Sequence, residues 1–409
     1  MRTACAATGF CSIHTPLKGD RVKCEFCGHM VKANCRRHYN VCGVRRTPVP
    51  CYVRPGFNKF PVDDHKQGAE TGMGSADGTE RELQRRVIQL FQSFAAPMLV
   101  DGGWAHPRSA PLQRSAKHRM QEAAICEVMR QHGMVAERAD GGSSEDGNNR
   151  FYLDLGAGKG CLSKAVSAIN SAFPRSTYIC VEKAAYKHKA EQTKYARTRR
   201  ARVDICDVDV FKLLQDTIRE CPESACGTAG YARAESERGH DVVGMGKHLC
   251  GSATDLALMS LKNVRTENLK DDNFSVKIEG ICIAVCCHAA STWDCTAARP
   301  WLEKQGIGEA EFELIRHWSG YFTDNLLSEE HPSSADACPG GYVPPSTAGQ
   351  AGADDSPESA SFGRMCKRLL DYGRVEFIRN ELGLEARLCT YIGQHVTPEN
   401  VLLVAWPPT

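Results

Sequence analysis

The sequence predicts an α/β fold, in which a parallel sheet carries helices on both faces and follows a small basic N-terminal region. Three observations lead to this prediction. Apolar strand-like runs alternate with helix-length stretches from Phe151 onward. The run FYLDLGAGKGCLS, residues 151–163, passes from apolar residues through three glycines into a helix start. Residues 24–42 carry Cys and His at the spacing of a zinc site.

The predicted elements follow one another in a regular order. Helices are predicted at 80–94, 115–132, 161–173, 183–198, 208–219, 254–261 and 363–382. Strands are predicted at 151–155, 177–181, 202–205, 241–245 and 280–285, with a terminal hairpin from the apolar runs at 386–392 and 400–406. Strands that alternate with helices in this way pair in parallel, because each helix returns the chain to the same edge of the sheet.

Segments of small and polar residues divide the chain. They lie at 63–78, 139–149 and 328–361. The last has too few apolar residues to fold and is predicted to be a disordered insertion. We therefore expect a basic zinc-finger region at 1–62, a linker at 63–79, and one large domain at 80–409 that contains the insertion.

Charge and cysteine usage limit the class of protein. The 409 residues carry 51 Lys and Arg against 49 Asp and Glu, so no overall positive field marks a nucleic-acid binder. Residues 1–60, however, hold eleven basic and two acidic residues, a net charge of +9. With 21 cysteines and no apolar stretch long enough for a membrane span or a signal peptide, we expect an intracellular protein, cytoplasmic or nuclear, with reduced thiols and no membrane partner.

The glycine turn indicates a ligand site. Gly156, Gly158 and Gly160 follow Asp154 at a strand-to-helix corner, where the backbone can approach a dinucleotide, a nucleoside triphosphate or S-adenosylmethionine. A phosphate loop would need Ser or Thr after Lys159, and a dinucleotide fingerprint would need G-x-G-x-x-G rather than G-x-G-x-G. The pattern favours S-adenosylmethionine, and an ordinary glycine-rich turn is the alternative.

Two further acids lie near the ends of predicted strands. Glu182 ends the second strand, where a carboxylate can accept from both ribose hydroxyls of a bound nucleoside. Asp204 lies near the end of the third, where it could accept from an adenine amine. Either acid could instead be a helix cap or a solvated charge.

The N-terminal segment predicts a zinc finger. Cys24 and Cys27 form C-x2-C, and His38 and Cys42 form H-x3-C, which together supply four tetrahedral ligands. His29 and Cys35 could compete as ligands, and a second half-site is offered by Cys5, Cys11 and His14. A basic finger of this kind is suited to gripping a phosphate backbone.

Several stretches carry a family resemblance. The acid and glycine pattern resembles motif I of class I (Rossmann-like) methyltransferases. The stretches at 117–123 (KHRMQEA), 246–258 (GKHLCGSATDLAL), 280–294 (GICIAVCCHAASTWD) and the closing PENVLLVAWP resemble the eukaryotic tRNA 2′-O-methyltransferases that modify nucleotide four of the acceptor stem.

The resemblance implies a class I fold, S-adenosylmethionine as methyl donor, tRNA as substrate and zinc in the finger. It also implies that Asp154 faces the donor's ammonium. The chain departs from the family pattern in its finger spacing, in the incomplete Cys11 and His14 site, and in having Glu182 where Asp is expected.

The catalytic candidates follow the fourth and fifth predicted strands. Lys247 and His248 come first as groups that could position a ribose hydroxyl or accept its proton, and His288 is the next candidate. The two histidines could instead converge on a metal with Cys250, Cys286 and Cys287, or Cys286 and His288 could be buried packing residues. Methyl transfer to a protein or small molecule, or RNA binding without catalysis, are the alternative functions.

Overall fold

The protein is described by a computed structural model, which places residues 21–23, 30–32, 49–61, 76–101, 116–136, 149–173, 176–186, 197–220, 239–271, 274–327, 357–394 and 396–408. The chain divides into two compact units, Met1–Val53 and Arg54–Thr409.

The first unit contains a short antiparallel pair, β1 (Arg21–Lys23) and β2 (Met30–Lys32), in which Val22 lies opposite Val31. The predicted finger ligands Cys24, Cys27, His38 and Cys42, the competing His29 and Cys35, and the half-site Cys5, Cys11 and His14 all lie outside the described residues.

The second unit alternates strands with helices. Its helices are α1 (Ala76–Met98), α2 (Ala116–Gln131), α3 (Cys161–Ala168), α4 (Val210–Arg219), α5 (Ala253–Asn268), α6 (Arg299–Lys304), α7 (Glu309–Leu327) and α8 (Pro357–Phe377). Its strands are β3 (Leu99–Asp101), β4 (Asn149–Leu155), β5 (Thr177–Val181), β6 (Arg197–Ala201), β7 (His240–Leu249), β8 (Val276–Val285), β9 (Glu385–Thr390) and β10 (Val401–Trp406).

The eight strands form one mixed sheet in the order β3-β9-β10-β8-β7-β4-β5-β6. Strands β4 to β8 pair in parallel, and β10 runs antiparallel to both of its neighbours, β8 and β9. The prediction of an α/β fold with a parallel sheet and a terminal antiparallel hairpin is therefore confirmed. The chain reverses its direction of travel across the sheet between β4 and β7, so the carboxyl ends of these strands border a natural ligand crevice.

The core lies between the sheet and the helices packed on it. Ile125 and Met129 of α2 and Val166 of α3 are fully buried against Tyr152 and neighbouring sheet residues. The Tyr152 hydroxyl donates to the carbonyl of Met134 over 2.6 Å. This hydrogen bond holds β4 against the segment that follows α2, and it gives the buried hydroxyl a partner.

The predictions around β6 were wrong. The strand predicted at 202–205 occupies Arg197–Ala201. The helix predicted at 183–198 is absent from the described part of that range, because residues 183–186 are not helical and residues 197–198 belong to β6. Residues Ile205–Asp207 instead form a short 3-10 turn. The arginines of the strand favour this position because Arg199 pairs with Asp216 over 2.5 Å, a partner that local sequence does not reveal.

Other boundaries also differ. Helix α3 ends at Ala168 rather than residue 173, and α5 and β8 are longer than predicted. The predicted insertion at 328–361 lies outside the described residues up to 356, but residues 357–361 begin α8. Among the described residues, no helix combines the length and apolar character needed to cross a membrane.

Candidate functional site

The glycine loop connects β4 to α3 with a backbone conformation that side chains rarely adopt. Gly156, Gly158 and Gly160 have φ values of 68°, 51° and 77°. A Cβ atom on Gly156 would lie 2.4 Å from Leu249 Cδ2, so glycine is required there for space as well as for conformation. The N–H of Gly156 donates to the Val181 carbonyl over 3.0 Å, which holds the loop against the end of β5.

Asp154 lies at the base of this loop and is almost completely buried. The Ser163 hydroxyl and backbone N–H, at the start of α3, both donate to its Oδ2 over 2.8 Å and 3.3 Å. Burial raises the pKa of Asp154 to about 6, although these hydrogen bonds oppose the shift. Because burial disfavours the ionised carboxylate, a positively charged ligand group beside it would stabilise the ionised form.

Glu182 immediately follows β5 and lies beside the same loop. Its Oε2 accepts from the Gly158 N–H over 2.9 Å, and its Oε1 accepts from the Ala184 N–H over 2.7 Å. The structure therefore brings together Asp154, the glycines and Glu182 as the sequence predicts.

Asp204 lies beyond the end of β6 and caps the 3-10 turn by accepting from the Cys206 N–H. Its carboxylate also lies 3.1 Å from Lys183 Nζ. Burial alone would raise its pKa, but the Cys206 N–H and Lys183 lower it. Asp204 is therefore an ionised acceptor with a structural role of its own, a role that the sequence analysis gave as the alternative.

Arg200 is a site residue that the sequence analysis did not single out. It lies in β6 and donates to the carbonyl of Gly158 over 2.9 Å. This contact holds the glycine loop against β6. Arg199, in the same strand, pairs with Asp216 and Glu220, so both arginines make contacts within the fold.

Lys247 lies within β7, two residues before its last residue, Leu249, and not after the strand as predicted. In the sheet, β4 lies between β7 and β5. Its Nζ lies 3.1 Å from Oε1 of Glu122, a buried residue of α2. Glu122 is near enough to Asp154 to contribute to the raised pKa of that carboxyl. The lysine side chain is therefore oriented by Glu122 next to the base of the glycine loop.

His248 is the next residue. Its φ is 64°, and the other described non-glycine residues do not have a positive φ of this kind. The register of β7 against β8 shifts at this point, so His248 does not continue the strand ladder. The side chain is exposed at the edge of the sheet, 6.3 Å from the ring of His118 between ring centroids. Surrounding protein atoms and the neighbouring Lys247 lower the pKa of His248, which favours a neutral imidazole.

His288, the third catalytic candidate, lies inside the protein rather than at this edge. Its Nε2 is 2.9 Å from Asp371 Oδ1 and 3.0 Å from an Nη1 atom of Arg374, and burial lowers its pKa. Arg374 also donates to both oxygens of the buried Asp255, over 3.0 Å and 2.6 Å. The histidine is thus part of a buried polar network that ties α8 to the start of α5.

Cys250, Cys286 and Cys287 meet where β7 and β8 end. Their sulfur atoms all lie within 4.8 Å of one another, and Cys250 Sγ is 3.3 Å from Cys286 Sγ. Hydrogen bonds from Cys250 and Cys286 lower the pKa of the Cys287 thiol. The sequence offered these cysteines, with His248 and His288, as a possible metal-binding group. The three cysteines do come together in the structure, but the two histidines do not join them.

The comparisons with known proteins identify the family. The family model described as Methyltransferase TRM13 matches residues 120–406, well over half of the chain. A human protein named "tRNA:m(4)X modification enzyme TRM13 homolog" is 26% identical over 64% of this chain and 60% of its own length. The corresponding mouse protein is 26% identical over 91% of this chain and 82% of its own length.

A Schizosaccharomyces pombe protein named "tRNA:m(4)X modification enzyme TRM13" is 27% identical over 64% of this chain. The aligned chain spans 62% of that protein's length, so it covers less than two thirds of the yeast and human relatives. The match of the family model nevertheless includes the glycine loop, the strand with Lys247 and the terminal hairpin. The chain belongs to the methyltransferase TRM13 family.

Proposed function

We propose that this protein transfers a methyl group from S-adenosylmethionine to the ribose 2′-oxygen of a tRNA, at nucleotide four of the acceptor stem. The observation that carries the proposal is the meeting of Asp154, Glu182 and Lys247 at one edge of the sheet. Asp154 lies in β4, Glu182 directly follows β5 and Lys247 lies in β7, and these strands are neighbours in the order β7-β4-β5. Names of the human, mouse and yeast relatives support tRNA as the substrate class.

The donor would bind across the glycine loop in a class I, Rossmann-like arrangement. Five parallel strands followed by an antiparallel hairpin support this assignment. Asp154 would accept from the donor's ammonium through Oδ1, since the Ser163 hydroxyl and N–H both donate to Oδ2. Glu182 would exchange its backbone partners for the ribose hydroxyls, and Asp204 would accept from the adenine amine. The glycines Gly156, Gly158 and Gly160 would pack against the donor.

When bound, S-adenosylmethionine supplies an electrophilic methyl on a positive sulfur. In the transfer, the 2′-oxygen forms a bond to this carbon, the carbon–sulfur bond breaks, and the hydroxyl proton leaves. We assign Lys247 to holding the 2′-oxygen, because Glu122 orients the lysine side chain at this edge of the sheet. His248, exposed at the same edge, is the proposed proton acceptor.

His288 has a different proposed role. It is only 1% exposed and its Nε2 is engaged with Asp371 and Arg374. We therefore assign it to positioning the end of β8, rather than to contact with the reacting atoms.

The N-terminal region would supply the grip on RNA. We propose a zinc finger in residues 1–62 with Cys24, Cys27, His38 and Cys42 as ligands, joined through 63–79 to the domain at 80–409. The net charge of +9 over residues 1–60 supports contact with tRNA phosphates. None of the twelve described cysteines forms a disulfide, which supports a reduced intracellular location, cytoplasmic or nuclear.

The proposal is tested by incubating purified protein with methyl-labelled S-adenosylmethionine and bulk unmodified tRNA. The expected result is label in tRNA that survives alkaline hydrolysis as a dinucleotide, because a methylated 2′-oxygen cannot attack the adjacent phosphate. Asp154→Ala should lose donor binding, whereas Lys247→Ala should bind donor and fail to transfer. Label on protein or small molecules, or donor binding without transfer to any RNA, would contradict the proposal.

A further inference from the structure

We propose that the thiolates of Cys250, Cys286 and Cys287 bind one Zn²⁺ at the carboxyl ends of β7 and β8. This site lies within the larger unit and is distinct from the finger region of residues 1–62. It does not depend on the methyl transfer proposed above, so the two can be tested separately.

The parallel pairing of the strands brings the sulfur atoms together. Leu249 and Val285 are partners in the register of β7 and β8, so Cys250 and Cys286 leave neighbouring strands at the same level. Their sulfur atoms lie 3.3 Å apart, and the Cys287 sulfur lies within 4.8 Å of both. Tetrahedral zinc with bonds of about 2.3 Å to sulfur requires sulfur atoms about 3.8 Å apart, so small rotations suffice.

The loops that carry these cysteines are joined to each other. The Gly251 N–H donates to the Cys287 carbonyl over 2.9 Å, and the Thr292 N–H donates to Ser252 Oγ over 3.1 Å. A Cβ atom on Gly251, whose φ is 58°, would lie 2.7 Å from the Ala290 backbone, so the loops approach closely. The ligand positions are therefore set by the backbone before an ion binds, which reduces the entropic cost of binding.

The ligand chemistry selects the ion. Three thiolates favour a soft or borderline metal, and zinc suits such a set without requiring redox chemistry. Among the described residues, the sulfur atoms of these three cysteines are the ligand atoms that converge. Cys250 is exposed and the other two are half-buried, so solvent can supply a water as the fourth ligand. Binding would displace the remaining thiol protons into solvent.

The test compares metal content between variants of the full chain. The protein is purified under reducing conditions, treated with a mild chelator, dialysed against limiting Zn²⁺ and analysed by mass spectrometry of the metal. Relative to wild type, the triple variant Cys250→Ser, Cys286→Ser, Cys287→Ser should hold one zinc fewer per chain. The difference removes any contribution from the finger region, which both proteins retain.

The matched control is Cys295→Ser, a half-buried free cysteine in the 3-10 turn Trp293–Cys295, which should retain the wild-type zinc content. If the triple variant is misfolded by circular dichroism, the single variant Cys250→Ser provides the test, since its side chain is exposed. It should release zinc to a competing chelator at least tenfold more readily than wild type.

A second readout uses Co²⁺ in place of zinc. The wild-type protein minus the triple variant should give a difference spectrum with sulfur-to-cobalt charge-transfer bands and the visible bands of a tetrahedral ion. Equal zinc content and no cobalt difference in folded proteins would overturn the proposal. So would a mass two hydrogens lower in the peptides that contain Cys250 and Cys286, which would identify a redox-active disulfide in place of the metal.

Discussion

Lys247 Nζ lies 3.1 Å from Glu122 Oε1, and the two residues are separated by 125 positions in the chain. Glu122 is buried in α2, and the lysine side chain is 11% exposed at the end of β7. The pair connects a helix on one face of the sheet with the edge where Asp154 and Glu182 lie. It gives the proposed acceptor site a fixed positive charge whose orientation depends on a carboxylate elsewhere in the chain.

Replacing Lys247 should separate catalysis from donor binding. Lys247→Ala is expected to lower kcat by at least about 100-fold, because it removes a charge proposed to act in the transition state. The dissociation constant for S-adenosylmethionine, measured by calorimetry, should change less than about threefold. The matched control is Lys270→Ala, which removes an exposed lysine paired with Glu267 over 2.9 Å and should retain wild-type kcat. Equal losses in both variants would argue against a specific role for Lys247.

Glu122→Gln should affect the same step through Lys247. The substitution keeps the shape of the side chain but leaves the lysine ammonium without its carboxylate partner in a largely buried position. Because the substitution removes the carboxylate that orients the lysine side chain, kcat should fall at least about tenfold while the dissociation constant for S-adenosylmethionine changes little. An unchanged kcat with reduced stability would indicate that Glu122 has only a packing role.

Donor binding should weaken in acid because of Asp154. Its pKa of about 6 means that the free protein carries an uncharged carboxyl below this value, and an uncharged carboxyl cannot pair with an ammonium. As pH falls from 7.5 to 5, the dissociation constant for S-adenosylmethionine should rise about tenfold. Asp154→Asn should bind weakly at both pH values, with the dependence removed. A wild-type constant that is independent of pH over this range would contradict the proposed contact.

The same shift has a consequence for stability. Since the folded-state pKa of about 6 exceeds the ordinary value of 3.8, the unfolded chain loses this proton first as pH rises. Ionisation of Asp154 should therefore lower the free energy of unfolding between pH 4 and 6, by up to about 3 kcal/mol for a shift of roughly two pH units. Urea titrations of wild type and Asp154→Asn without donor should converge at pH 4 and diverge by pH 7, with the variant more stable.

Gly156→Ala should damage the donor site more than its backbone conformation alone predicts. A positive φ costs a non-glycine residue about 1–2 kcal/mol, and the added Cβ would also meet Leu249 at 2.4 Å. Gly133→Ala is the matched control, because Gly133 has φ of 67° and no atom within 4 Å of the added Cβ. We expect donor affinity to fall at least tenfold in Gly156→Ala and to remain unchanged in Gly133→Ala. Similar donor affinities for the two variants would contradict the account.

Arg374 should be essential for stability. Arg374→Met leaves Asp255 and Asp371 buried without their shared guanidinium, which is expected to cost about 3–5 kcal/mol in the free energy of unfolding. Urea unfolding followed by tryptophan fluorescence measures this cost. Arg85→Ala, which removes an exposed partner of Glu82, should change stability by less than about 1 kcal/mol.

The parts of the fold that local pattern determines were predicted well. Strand β5 was predicted at its observed bounds, because five successive buried residues followed by an acid give a clear signal. The glycine loop and Glu182 were predicted for a similar reason. The glycines directly follow one apolar strand and Glu182 directly follows the next, so the local sequence contains the whole signal. Helix α7 was not predicted, although the buried Phe312 and Ile315 lie at helical spacing.

The parts that depend on distant partners were not predicted. The position of β6 was wrong because its arginines are held by Asp216 and by the Gly158 carbonyl, which the local pattern does not contain. The roles of Glu122 and of Arg374, which is 119 residues from Asp255, appear only when the sheet has assembled. Local sequence identifies the groups, and the tertiary fold assigns their partners.

Methylation of one oxygen atom of one nucleotide can be tested with a pair of synthetic tRNAs. Both carry the sequence of a tRNA that accepts label in the bulk assay, and they differ only in having ribose or 2′-deoxyribose at nucleotide four. We expect methyl transfer from S-adenosylmethionine to the first tRNA and only background transfer to the second. Equal transfer to both tRNAs would place the methyl group elsewhere and would contradict the proposed function.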